Sequence, residues 1–201
     1  MRILFVGAAL AATLTLSMAQ EHLSREEALK YAFWVSADLK PMLSTPIPTD
    51  PDVKRPVAVR EGDYGGMVLP EAKLALSQLS GIQDRVVSVG QLWLRGLVPL
   101  RGAELPPTDQ LHWVNVSTDE GSATVPCCAL GMMKNNSGSL ELLVYGKNKE
   151  PLLKVPVKTI QGAQENPVEM QAERRDDGGW ITLRILGKYE ASFMVTDPDL
   201  Y

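Results

Sequence analysis

The sequence predicts a mainly β protein: an antiparallel β-sandwich of jelly-roll or Ig-like type, with one N-terminal helix after a signal peptide. Three observations predict it. The C-terminal part alternates apolar and polar residues with period two through three successive runs. Before it, short apolar runs are cut at close intervals by Gly, Asn, Ser and Pro. Only one segment, near the N-terminus, joins helical spacing to a clear helix-start signal. Strands with one apolar face and short connections are the mark of antiparallel sheets packed on one side.

Residues 1–19 read as a secretory signal peptide. Arg2 gives a positive start, Ile3 to Leu16 an apolar run, and Ser17-Met18-Ala19 small residues at −3 and −1 before Gln20. That three-part pattern is read by the export machinery and cleaved after Ala19. The run is short for a membrane span, and polar sequence follows it at once. No cysteine stands at the junction to take a lipid anchor. The expected address is therefore secreted or periplasmic.

Residues 20–56 form a helix and a Pro-rich connector. Ser24 and Glu27 make a capping box, each side chain satisfying a backbone N–H left free at the helix start. Ala28, Leu29, Ala32, Phe33, Ser36 and Leu39 then recur at three- and four-residue steps. Pro41 ends the pattern. The spacing predicts that the Leu29–Phe33 face lies on the β domain or on a partner. Pro41, Pro46, Pro48, Pro51 and Pro56 predict an extended connector that does not enter a central strand.

Residues 57–201 form the predicted sandwich, with a subdivision near residue 106, at Pro106-Pro107, as the alternative. Val57–Arg60 and Met67–Leu69 flank the glycines of 62–66, read as a turn. Glu71–Ser80 is a short helix candidate. Arg85–Arg95 is a strand with Gly90 as a bulge or close approach. Strands follow at Leu111–Ser117, Ala123–Leu130, Leu140–Tyr145 and Leu152–Thr159. The last three are the clearest: Val168/Met170/Ala172, Ile181/Leu183/Ile185 and Tyr189/Ala191/Phe193/Val195 each occupy one face. Asp176 to Gly179 and a Gly187-Lys188 type II′ turn join them.

Composition narrows function by exclusion. The chain has 201 residues, 45% of them hydrophobic and 22% charged, as a globular protein has. Twenty basic against 24 acidic residues give −4, and no basic patch opposes that average, so no nucleic acid is expected as partner. No apolar run after the leader is long enough to span a bilayer. Two adjacent cysteines cannot supply a disulfide framework, so the core must hold the fold.

Candidate chemistry is sparse. A hydrolytic triad requires His112 with Asp109 or Asp119 and Ser117 or Ser122, without any nucleophile-elbow signature. His112, Cys127, Cys128, Met132 and Met133 form the soft-metal candidate set, and a blue-copper site lacks its second histidine. Cys127 and Cys128 are first read as free buried thiols, next as a source of dimerisation through Cys128, and last as a strained vicinal disulfide. Asp50/Asp52, Glu61/Asp63 and Asp176/Asp177 are turn carboxylates with the oxygen ligands calcium uses. Trp34, Trp93, Trp113 and Trp180 are scattered and not gathered on one strand. No cofactor is implied. The leading expectation is an exported, non-catalytic protein that binds an unidentified protein or glycan partner in the envelope. A carboxylate-based glycan-active enzyme and a copper carrier are the alternatives.

Overall fold

A computed structural model describes residues 21–37, 46–82, 85–119, 121–176 and 178–200. The candidate signal peptide with Ala19, the predicted helix end at Leu39 and Pro41, and Asp177 lie outside these residues. The chain starts with β1 (Glu21–His22) and α1 (Arg25–Ser36). The hairpin β2 (Val57–Glu61) and β3 (Tyr64–Pro70), the short α2 (Leu76–Ser80) and β4 (Val87–Arg95) come next. They are followed by β5 (Val98–Pro99), β6 (His112–Thr118) and the long β7 (Gly121–Lys134). Then come β8 (Leu140–Tyr145), β9 (Leu153–Pro156) and β10 (Lys158–Thr159). The described chain closes with β11 (Val168–Arg175), β12 (Gly178–Ile185) and β13 (Tyr189–Thr196).

These strands make two antiparallel sheets. The first runs β1-β2-β3-β4-β7-β8-β9, with β6 on the N-terminal half of β7. The second runs β10-β13-β12-β11, with β5 also on β13. The predicted run Leu152–Thr159 is split between them, and the crossing falls just after Pro156, whose missing N–H suits a ladder's end. Val68, Leu92, Leu94, Leu130 and Leu142 of the first sheet share one core with Met170, Ile181, Leu183 and Phe193 of the second. Strands from both sides of residue 106 contribute to that core. The arrangement is consistent with a β-sandwich.

The first sheet is also covered on its other face. Ala58, Met67, Leu69, Trp93, Val114, Val116 and Cys127 pack there against Ala28, Ala32 and Val35 of α1. The predicted helix face is therefore corrected. Phe33 is 75% exposed and Leu29 only half-buried, while the alanines point inward. Side chains this small let the helix settle close onto the strands, which Leu and Phe at the same positions prevent. The capping box forms as expected: Glu27 N–H donates to Ser24 Oγ at 3.3 Å, and Ser24 N–H to Glu27 Oε2 at 3.1 Å.

The connector is docked, not a free linker. Ile47 is buried against Ala129, Leu143 and Tyr145 on that same outer face. Ala72 N–H donates to Asp50 O, and Asp52 N–H to Pro70 O. Buried Gln91 donates to Thr49 Oγ1 at 2.8 Å and accepts from Trp93 Nε1 at 3.2 Å. The helix predicted from Glu71 begins only at Leu76, because the Glu71 carboxylate accepts from Asp50 N–H and Ser88 Oγ.

Glycine explains two local features. The register of β4 shifts between Ser88 and Gly90, as the sequence suggested. Gly90 has φ +145°, and a Cβ there would sit 2.1 Å from Leu69 O. At the last hairpin the turn is one residue earlier than predicted. Leu186 (φ 54°) and Gly187 (φ 64°) are its centre, with Lys188 N–H donating to Ile185 O. Two positive φ values are the signature of type I′ and not II′.

Candidate functional site

Of the candidates named from sequence, His112 and Cys127 become cross-strand neighbours, but the full sets are not brought together. Cys127 and Cys128 are both free and fully buried. As neighbours on a strand they face opposite ways: Cys127 joins the cluster under α1, Cys128 the core between the sheets. Met132 and Met133 divide in the same manner. The soft-ligand set is thus separated by the thickness of the sheet. Burial pushes the Cys128 thiol up to about 12 and raises Cys127 as well, so both stay protonated. Burial of Cys128 also removes the exposed thiol that a covalent dimer needs.

His112 pairs across strands with Cys127 and is half-buried. Desolvation, and secondarily Lys147, hold its imidazole below the ordinary value and favour the neutral form. Ser117 and Ser122 face each other at the far end of the β6–β7 hairpin. Five residues of strand place Ser117 about 16 Å from His112, beyond proton-transfer distance. Asp119 instead pairs with Lys30 of α1 at 3.1 Å. Among the other acids, Asp52 is engaged by Lys54 N–H and Arg55 Nε within its own turn. Trp93 is buried beneath α1, whereas Trp180 carries Arg175 stacked on its ring at 4.4 Å.

What the fold does assemble is a cleft of about 270 Å³ between α1, the β2-β3-β4 strands and the β6–β7 hairpin. Its floor is a cross-strand row, Ala58–Met67–Trp93, on the outer face of the first sheet. One step along the strands lies the row Arg60–Gly65–Arg95, on that same face. Gly65 has no side chain, so a gap separates two arginines whose Cα atoms are about 10 Å apart, two strand spacings. One wall is Tyr31 and Trp34, packed edge to face at 5.2 Å between ring centres. The opposite wall is Val116, Val125 and the small residues Gly121–Ala123.

The cleft is therefore polarised, apolar in its body and cationic at one end. Arg60 Nη2 reaches Glu21 Oε2 at 3.2 Å, an exposed pair of little energetic weight. Arg95 makes no ion pair among the described residues. Asp63 and Tyr64 also border this end. The Tyr64 hydroxyl donates to Asp197 Oδ2 at 2.7 Å, which raises the phenol and lowers the carboxyl. That bond ties β3 to the end of β13 and fixes the cleft's outer corner.

Sequence reading missed this site for a definite reason. Arg60, Gly65 and Arg95 meet only through strand register, which no local pattern encodes. The glycines of 62–66 also read together as a turn in the sequence. Only Gly62, with φ 59°, sits in it, while Gly65 and Gly66 belong to β3. The usable signal was Gly-Gly inside an otherwise apolar run, which marks close approach of other groups.

No helix among the described residues is long and apolar enough to cross a membrane. Comparison with protein-family models, curated proteins and solved structures finds no match to this chain.

Proposed function

We propose that this is an exported, non-catalytic β-sandwich protein that works in the periplasm or cell envelope by binding an apolar ligand bearing an anionic group. The carrying observation is the polarised cleft: Ala58, Met67 and Trp93 beneath, Tyr31 and Trp34 at the side, Arg60 and Arg95 across a bare Gly65 at one end. Sites that hold small molecules combine an apolar lining with few polar groups that fix orientation. A guanidinium suits a carboxylate or phosphate because its planar donors pair with two oxygens at once. Export is supported by the pattern of Arg2, Ile3–Leu16 and Ser17-Met18-Ala19.

Trp34 and Trp93 both border the cleft and serve as reporters. Titration with aryl and acyl carboxylates is expected to give saturable changes in their fluorescence. Replacing the carboxylate by a neutral amide, or Arg95→Gln, is expected to weaken binding about tenfold. Equal affinity for acid and amide would defeat the reading of the cationic end, and an absence of saturation would defeat the site. Export has its own check, the N-terminus of the protein recovered from expressing cells. Gln20 as first residue supports the reading, and an unprocessed chain retained in the cytosol refutes it.

A further inference from the structure

The second sheet ends on an open edge with unusual properties. β11 pairs only with β12, in an unbroken register from Val168↔Ile185 to Arg175↔Gly178. Its opposite side carries no backbone partner among the described residues. The strand has eight residues, and edges are normally blunted by Pro, Lys, a bulge or shortness. β11 has no Pro, Lys or bulge, and its charges, Glu169, Glu173, Arg174 and Arg175, are of both signs and can pair across an interface. The other side of the sheet is closed, since β13 is flanked by β10 and β5.

Which groups face outward follows from alternation. Pro167 O accepts from Leu186 N–H, so odd-numbered residues here turn their backbone groups toward β12. The N–H and C=O of Val168, Met170, Ala172 and Arg174 therefore point away from the sheet. Two such edges can pair antiparallel about a two-fold axis. Facing residues must then share a side of the sheet, which leaves few registers. An axis at Gln171 opposes Glu169 to Glu173, and one at Glu173 opposes that residue to itself. An axis at Ala172 opposes Glu169 to Arg175 twice, and puts Gln171 against Glu173. It also matches outward groups to outward groups, at Met170↔Arg174 and Ala172↔Ala172. Glu169 and Arg175 then fall in the closer, non-hydrogen-bonded positions, where opposite charges help most.

We propose that β11 is a self-association edge, through which two copies of this chain join antiparallel about Ala172 into one continuous sheet. Each copy uses this edge on the same edge of the other, so the two-fold pairing consumes it and closes as a dimer. Existing side-chain bonds are compatible with the new pairs. Glu169 Oε1 accepts from Glu165 N–H at 2.9 Å, and among the described residues its second oxygen has no hydrogen bond. Arg175 holds Glu173 of its own strand and rests on Trp180, with guanidinium donors to spare. No β11 residue lines the cleft under α1, so the pairing is argued independently of the ligand proposed above.

The test is sedimentation velocity on the purified chain with charge-swap variants. The wild type is expected to dimerise below about 100 µM, within the range of a modest interface. Glu169→Arg alone and Arg175→Glu alone place like charges opposite each other and should each shift the dissociation constant upward at least tenfold. The double swap restores both pairs with reversed polarity and should recover the dimer. Ala172→Pro removes an outward N–H that the monomer does not use, and should give a folded monomer by circular dichroism. A monomeric wild type overturns the proposal. So does a dimer indifferent to both the swaps and the proline.

Discussion

The two sheets carry different sequences because they meet different surroundings. In the second, β12 and β13 alternate strictly: Ile181, Leu183 and Ile185 are buried while Thr182 and Arg184 are half-exposed. In the first, β4 is buried at six consecutive residues, Val89 to Leu94, and β7 at seven, Pro126 to Met132. One sheet has a core on one side only. The other has the second sheet on one face and α1 with the connector on the opposite face. Apolar alternation thus reports how many faces are covered, not merely that a strand exists.

The sharpest way to break this comparison is to cut side chains on each face. Leu92→Ala, toward the second sheet, and Leu69→Ala, toward α1, should each cost about 2–5 kcal/mol in denaturant unfolding, because both positions are sealed. In β12 only the inner position should respond so strongly: Leu183→Ala in that range, Thr182→Val within about 0.5 kcal/mol. A tolerant Leu69→Ala would mean that the outer face is not packed.

Alkaline pH sharpens it next, since one thiol lies on each side of the first sheet. Both are raised in the folded protein, Cys128 from 9.0 to about 12. Above pH 9 the unfolded chain loses thiol protons that the folded chain retains. Stability therefore should hold up to about pH 8 and fall between 9 and 12. Cys127→Ala with Cys128→Ala should flatten that fall in unfolding curves taken across the range. A smaller effect concerns the docked connector. Thr49→Val leaves the buried Gln91 Nε2 without its acceptor and should cost about 1–3 kcal/mol by thermal unfolding.

The same comparison explains what could be read in advance. β11 to β13 were legible because one face of each is polar, and α1's start because Ser24 and Glu27 act locally. The inward side of α1 was not legible. Ala28 and Ala32 carry less hydrophobicity than Leu29 and Phe33, yet only they allow close approach to the sheet. The connector's docking depends on Thr49 and Gln91, 42 residues apart, meeting in three dimensions. The cleft was least legible of all. Its Arg60–Gly65–Arg95 row exists only once β2, β3 and β4 are in register.

The central claim is that α1 seals the outer face of the first sheet and walls a cleft there. Thiol labelling in native conditions tests it most directly, with Cys127 reporting the cluster under α1 and Cys128 the core between the sheets. In the intact protein both should resist labelling. Ala32→Glu, which forces a charge beneath the helix, should expose Cys127 while Cys128 remains protected. Rapid labelling of Cys127 in the unaltered protein, or of Cys128 ahead of Cys127 in the variant, would contradict the account.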